Sequence, residues 1–237
     1  MLLQVVVSAP PSGLHPAGTG PDSHSSKSSV AITGGSGGLG LLMAQWLATS
    51  GSVREVHLFS RAGRLPSSAA AAPAGLLAGD ASGDSVLAVE PLQQYLLGSG
   101  VFVSLHAADV SFSSDLRAVA VDGSYCSWGQ QGGFDVVLHA AGVLQDSLIS
   151  NQSQSSIRAA MAPKLGAAGA ANMAAAAVGM PLQQLVLFSS VASTVGAAGQ
   201  GNYVSANAVL DGWAASGRQQ GCNISSVQWG AWATAGG

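Results

Sequence analysis

Charge is scarce in this chain. Of 237 residues, 8 are Lys or Arg and 11 are Asp or Glu, 8% in all, against about 25% in typical soluble domains. That scarcity excludes a charge-rich disordered chain and a long coiled coil. The net charge is −3 and the only lysines are Lys27 and Lys164. The clustered cations that displace counterions from a phosphate backbone are therefore lacking, and no nucleic-acid partner is expected. Two cysteines, Cys126 and Cys222, cannot build a disulfide framework or a four-cysteine metal site, so a reducing compartment is the simplest expectation. The leading MLLQVVVSAPPSG has no cationic head and the first arginine is Arg54; neither a secretory signal nor a transit peptide is expected. Long apolar runs are missing too. Mean hydropathy is +0.36, but the longest weakly polar stretch, 166–182, is mostly Ala and Gly and carries Asn172 and Pro181. A spanning helix needs about 20 predominantly apolar residues, so no membrane association and a cytoplasmic location are expected.

Glycine (32 residues) and apolar residues (48%) are abundant, enough for a sizeable core. At roughly 100–200 residues per domain, the length suits one domain with an appendage. Residues 1–28, rich in Pro, Gly, Ser and His after a short VVV run, read as a linker or ragged N-terminal extension, and 29–237 as the domain. Short β-branched or apolar runs recur at 29–33, 55–59, 101–105, 135–139, 184–188 and 224–229. Between them lie segments of helical character, LLMAQWLATSG, LQQYLLGSG, SDLRAVAVDG, the alanine-rich 157–180, and NYVSANAVLDGWAASGRQQG. Strands alternating with helices predict a doubly wound α/β fold, a parallel sheet with helices on both faces. Low-complexity stretches at 62–89 and 122–133 read as surface insertions, which loops tolerate at little cost.

The first strand runs into Thr33-Gly34-Gly35-Ser36-Gly37-Gly38-Leu39-Gly40, and a helix follows. Glycines permit a tight turn and close backbone approach, so N–H groups at the helix start can hold a pyrophosphate. A glycine-rich turn alone is weak evidence; its place between strand and helix supplies the dinucleotide fingerprint. The second strand ends in Ser60-Arg61, where the adenosine ribose would lie. Arginine there accommodates the 2′-phosphate of NADP, whereas an acidic residue would suit NAD; NADPH is the expected cofactor. Asp109-Val110 follows the third strand, where the carboxylate either meets the adenine amino group or caps the next helix. Ala140-Ala141-Gly142 end the fourth, small residues against which a cofactor can lie. His139 lacks companions at metal-ligand spacing and reads as a core or turn histidine.

After the fifth strand come Ser189-Ser190 and then Gln200-Gly201-Asn202-Tyr203-Val204-Ser205-Ala206-Asn207. Asn207 lies four residues beyond Tyr203, on the same helix face. A serine at a strand end and a tyrosine opening the next helix can converge on one substrate oxygen. Hydride addition to a carbonyl needs a proton donor and a hydrogen-bond donor for the developing alkoxide. A free tyrosine titrates near 10, so a nearby cation assists it, and Lys164 in Met161-Ala162-Pro163-Lys164 is the plausible lysine.

These residues, together with TGGSGGLG, LFSRAGR, ADVS, HAAGVLQDSL, APK, LFSSVAS, GQGNYVSANAVLDG and QWGAW, mark a resemblance over about 29–233. The chain resembles the ketoreductase domain of type I polyketide synthases and animal-type fatty acid synthases, a branch of the short-chain dehydrogenase/reductase superfamily. In this branch the lysine and asparagine of the ordinary superfamily exchange places, and Asn207 with upstream Lys164 matches that exchange. The resemblance implies a Rossmann-like fold in which Tyr203 donates the proton and Ser190 polarises the carbonyl. It further implies that Lys164 lowers the tyrosine pKa and holds the nicotinamide ribose, while Asn207 supports a proton relay. The cofactor segment would comprise Gly34, Ser36, Gly37, Gly38, Leu39 and Gly40, with Ser60, Arg61, Asp109, Val110, Ala140, Ala141 and Gly142. The implied reaction is NADPH-dependent reduction of a β-keto thioester on an acyl carrier protein to the β-hydroxy thioester, with other synthase domains as neighbours.

Leu144-Gln145-Asp146 resembles, with a departure at Gln145, the Leu-Asp-Asp motif of the B-type stereochemical class; Val195 stands where the opposite class carries tryptophan. Asp146 would alternatively cap the next helix. The family's lid helix and seventh strand are expected to be missing after QWGAW. Two further readings stay open, a free-standing reductase of small ketones and a non-catalytic truncated scaffold domain.

Overall fold

In the computed structural model the described residues are 28–64, 100–112, 115, 134–178 and 182–230. Six strands, β1 (Ser28–Thr33), β2 (Val53–Ser60), β3 (Phe102–Ala107), β4 (Val136–His139), β5 (Gln184–Ser190) and β6 (Ile224–Trp229), form one sheet in the order β3-β2-β1-β4-β5-β6. Every neighbouring pair is parallel. Four helices are described, α1 (Gly38–Ser50), α2 (Gln154–Val178), α3 (Ala192–Val195) and α4 (Gly201–Gln219).

Side chains on a strand alternate between faces, and here the alternation divides two cores. Val30, Ile32, Val56, Leu58, Leu138 and Phe188 pack with Leu41, Ala44, Leu47 and Ala48 of α1. Ala31, Val137, Leu185 and Leu187 pack instead with Leu210 and Ala214 of α4. The apolar runs in the sequence are continuous because both faces of the sheet are covered. The strand order reverses between β1 and β4, so their C-terminal ends flank the crevice where open α/β sheets bind ligands.

Each strand run expected from sequence is a strand; β5 extends two residues further, through Ser190, and β3 two further, through His106 and Ala107. The β3 extension is stabilised by buried polar pairing. Ser104 Oγ lies 2.7 Å from His57 Nδ1 and 2.8 Å from His106 Nε2, and the His106 ring stacks on Phe59 at 4.7 Å. Burial, then the neighbouring His57, pushes the His106 pKa down to about 4. The expected helices of 92–100 and 114–123 fall outside the described residues except for Gly100 and Asp115. So do residues 1–27, 65–89, 122–133 and 231–237. Among the described residues no helix is long and apolar enough to cross a membrane.

Candidate active site

The turn joining β1 to α1 is held backbone against backbone. Gly34 has φ +70°, and a Cβ there would fall 2.9 Å from the Ala141 N and Cα. The Gly35 N–H donates to the Phe59 carbonyl at 3.0 Å, and the Gly37 N–H to the Gly34 carbonyl at 2.9 Å. A Cβ on Gly40 would lie 2.5 Å from the Gly34 oxygen, so glycine is what lets the first turn of α1 close onto the loop. No side chain caps α1 at Gly37, and its first turn carries no acidic residue. The first N–H groups of a helix have no acceptor within it. Here Ser36, Gly37, Gly38 and Leu39 present a helix N-terminus suited to an anion.

At the end of β2 the chain turns at Gly63 (φ +58°), whose N–H donates to the Ser60 carbonyl at 3.1 Å. A Cβ on Gly63 would strike Ala107, so the start of the predicted insertion is a tight turn packed on β3. That turn leaves Arg61 exposed beside half-buried Ser60, and Arg61 forms no salt bridge among the described residues. Beyond β3, Asp109 Oδ1 accepts the Ser111 N–H at 2.9 Å, and Val110 is buried. The carboxylate thus closes its own turn with one oxygen; the helix it was alternatively expected to cap lies, except for Asp115, outside the described residues.

His139 ends β4 fully buried, its Nδ1 2.7 Å from Thr33 Oγ1. Burial first, and the charge of Lys164 second, push its pKa down to about 3. It is a neutral core histidine, in agreement with the sequence reading.

A cavity of about 500 Å³ opens above these strand ends, lined by Leu39, Ala140, Gly142, Lys164, Ser190 and Tyr203 among others. One wall therefore comes from the start of α1 and another from the predicted catalytic residues. Ser190 is the last residue of β5; its Oγ accepts the Ala192 N–H at 3.2 Å, at the start of α3, a short turn that sequence reading did not anticipate. Tyr203 is the third residue of α4 and half-buried. Lys164 follows Pro163 within α2 and is 5% exposed. Its Nζ donates to the Phe188 carbonyl at 2.7 Å. A Cβ on Gly142 would lie 3.1 Å from Lys164 Cε, so glycine makes room for the lysine stem. Burial pushes the Lys164 pKa down to about 8, with the Asp211 charge opposing it.

Asn207 lies beneath Tyr203, completely buried, with Nδ2 donating to the Tyr203 carbonyl at 3.0 Å. Its Oδ1 has no hydrogen-bond partner among the described residues. Ser189 is also buried and donates to the Asn207 carbonyl at 3.3 Å, which turns its hydroxyl to the helix. Asp146 does not cap the following turn at Ile149–Asn151, whose N-cap Leu148 has no side-chain hydrogen bond. It accepts instead from Gln200 Nε2 at 2.9 Å, and Asn202 Nδ2 donates to the Gln145 carbonyl at 2.8 Å. The 144–147 segment is thereby tied to the loop that delivers Tyr203.

A KR domain family model matches residues 28–234. The chain belongs to the KR domain family. It is 34% identical over 207 residues to the polyketide synthase GfsB of Streptomyces halstedii, covering 87% of this chain and 3% of that synthase. It is 35% identical over 210 residues to the 6-methylsalicylic acid synthase of Aspergillus terreus, covering 89% of this chain and 11% of that protein. Among solved structures, PlmKR1, the ketoreductase from the first module of phoslactomycin biosynthesis in Streptomyces sp. HK803, superposes with a TM-score of 0.70 at 30% identity, covering 88% of this chain and 43% of that one. The first ketoreductase of the tylosin synthase gives 0.66 at 30% identity, over 89% and 40%. The KR chain is thus a small part of the length of the curated synthases it matches.

Sequence reading missed Asp211. Its carboxylate accepts from Ser193 Oγ at 2.6 Å, Ser226 Oγ at 2.5 Å and Gln228 Nε2 at 2.8 Å. The signal was present, because Tyr203, Asn207 and Asp211 recur at four-residue intervals on one helix face.

Proposed function

We propose that this KR domain reduces a β-keto thioester, carried on an acyl carrier protein, to the β-hydroxy thioester with NADPH. The observation that carries the proposal is the shared cavity, which Ser190, Tyr203 and Lys164 line together with Leu39 of the first turn of α1. The cofactor segment fits a dinucleotide. The helix N-terminus lacks both cap and acid, and close packing of Gly34 on Ala141 keeps the crevice floor free of side chains. Gly34, Ser36, Gly37, Gly38, Leu39 and Gly40 would hold the pyrophosphate, and Ser60 and Arg61 the 2′-phosphate. Asp109, through its second oxygen, and Val110 would border the adenine; Ala140, Ala141 and Gly142 would border the nicotinamide end.

When bound, NADPH supplies the hydride that adds to the carbonyl carbon and leaves oxidised. Tyr203 gives its phenolic proton to the carbonyl oxygen, so one C–H and one O–H bond form as the C=O π bond breaks. Ser190 donates a hydrogen bond to the same oxygen as charge develops on it. The Lys164 ammonium favours the phenolate left behind and would hold the nicotinamide ribose. The orphaned Oδ1 of Asn207 offers an acceptor for a relay that returns a proton to Tyr203. Leu144 and Val195, 58% and 78% exposed at the cavity, suit an acyl chain.

The test is NADPH-dependent reduction of a β-ketoacyl pantetheine thioester beside an unattached small ketone. Preference for the thioester supports the proposal. Equal turnover of the free ketone would favour a free-standing reductase, and NADPH binding without turnover a scaffold.

A further inference from the structure

Tyr203 is held by its own peptide groups as well as by the helix it stands on. No side chain caps α4 at Gln200, and the N–H groups of a first turn have no acceptor within the helix. The Tyr203 N–H finds one in the neighbouring side chain, Asn202 Oδ1, at 2.7 Å. The Tyr203 carbonyl accepts from Asn207 Nδ2 at 3.0 Å. Two buried asparagines, 3% and 0% exposed, thus clamp both peptide groups of a residue that lines the cavity.

Asn202 reaches further than its neighbour. Its Nδ2 donates to the Gln145 carbonyl at 2.8 Å, 57 residues away in the chain. Gln145 directly follows Val143 and Leu144, and both of these line the cavity. One amide therefore bonds the peptide of the candidate proton donor through its oxygen and a cavity wall through its nitrogen. Two other contacts close the same seam, Ser147 N–H to the Gly199 carbonyl at 2.8 Å and Gln200 Nε2 to Asp146 Oδ2 at 2.9 Å. The first involves backbone alone, and the second is exposed to water, where a hydrogen bond contributes little. The Asn202 amide is buried, and a buried amide is costly unless its groups are bonded. Its two bonds consequently stand or fall with its place in the fold.

We propose that Asn202 is a positioning residue of this site, a buried amide that sets Tyr203 in register with the wall carrying Val143 and Leu144. Its effect on turnover rests on the reductase reading above; the clamp itself does not. Neither bond of Asn202 goes to the glycine turn or to Arg61, so its loss falls on the chemical step and not on NADPH binding.

The test compares Asn202→Ala and Asn202→Asp with wild type. Alanine removes both bonds. Aspartate has the same shape and keeps an oxygen for the Tyr203 N–H, but sets a carboxylate oxygen against the Gln145 carbonyl. A residue that merely caps α4 would be replaced by aspartate without loss. Misplacing a reacting group by about 1 Å costs up to about a hundredfold in rate. Both variants are therefore expected to lose about 10–100-fold in kcat with the β-ketoacyl pantetheine thioester, while the KM for NADPH stays within about twofold. A folded Asn202→Asp protein with wild-type kcat overturns the inference, as does a rise in the KM for NADPH that accounts for the whole loss. Should Asn202→Ala not fold, the aspartate variant decides alone.

Amide hydrogen exchange followed by NMR needs neither cofactor nor turnover. The Ser147 amide should exchange at least about tenfold faster in both variants as the seam loosens, and the Tyr203 amide in Asn202→Ala alone. Unchanged exchange at Ser147 overturns the clamp. Faster exchange there, in a protein whose wild type binds NADPH without consuming it, supports the clamp and overturns the reductase reading instead.

Discussion

Lys164 Nζ donates a 2.7 Å hydrogen bond to the carbonyl oxygen of Phe188, joining the middle of α2 to the end of β5 beneath the cavity. The bond fixes the ammonium two residues before Ser190. It also places a charge in a nearly closed environment, and the stability of the fold depends on pH accordingly.

Lys164 titrates near 10.5 when unfolded and at about 8 in the fold. Between these values the unfolded chain binds more protons, so stability rises as pH increases through this window. Below pH 8 both states carry the charge and the fold bears the full cost of burying it. That cost is about 3 kcal/mol, offset in part by the Phe188 hydrogen bond. Lys164→Met is therefore expected to raise the unfolding free energy at pH 7 by about 1–2 kcal/mol while abolishing turnover. Urea unfolding at pH 7 and pH 10 checks this; the variant should lose the rise seen in wild type.

The acid side follows the same sign. His106 and His139 have folded pKa values of about 4 and about 3, below the usual 6.5. Glu55 is held down to about 2 from 4.5, chiefly by the His57 ring, whose Nε2 lies 3.7 Å from its Oε2. In each case the unfolded chain binds more protons as pH falls through these windows, so stability drops. The urea midpoint should decline steadily from pH 6.5 to pH 4 as the two histidines resist protonation, and further below as Glu55 titrates. A midpoint that stays flat over the first interval contradicts the buried neutral state of both rings.

Gly34 and Gly51 separate strain from collision. Both have positive φ, +70° and +67°, but a Cβ on Gly34 meets Ala141 at 2.9 Å whereas one on Gly51 meets nothing within 4 Å. Gly51→Ala should cost about 1 kcal/mol, the left-handed penalty alone. Gly34→Ala should cost about 2–4 kcal/mol and also weaken NADPH binding, because the loop must move off the end of β4. Thermal unfolding and cofactor fluorescence titration measure the two effects.

Arg61 is exposed at the end of β2, where a 2′-phosphate would lie. Arg61→Ala should raise the KM for NADPH by about 10–100-fold, the loss of one or two charged hydrogen bonds. The KM for NADH should change little. An equal rise for both cofactors would place the arginine's effect in the loop and not at the phosphate.

The parallel sheet was legible in the sequence because strands buried on both faces read as unbroken apolar runs, and those runs coincide with the strands observed. Local signals were less informative where long-range contacts decide. The extension of β3 depends on Ser104 and His106 meeting His57 on the neighbouring strand, pairs 47 and 49 residues apart. The α3 turn is a single helical turn after a strand, too short for periodicity to reveal. The alternative reading of Asp146 as a cap arose because short polar residues before a turn often are caps; its partner Gln200 is 54 residues away. The cavity unites residues from 39 to 230, and the serine–tyrosine spacing with the upstream lysine identified three of them. Asp211 escaped notice because carboxylates are ordinarily helix-surface residues, and only the fold supplies its donors from Ser193, Ser226 and Gln228.

The most direct measurement is NADPH oxidation at 340 nm with a β-ketoacyl pantetheine thioester, run for wild type and Tyr203→Phe with NADH as control. The account predicts NADPH-selective turnover in wild type and a loss of at least about a hundredfold in the variant, the contribution of a general acid, with NADPH binding nearly intact. Undiminished turnover in Tyr203→Phe, or a folded wild-type protein that binds NADPH and does not consume it, would contradict the proposed reductase.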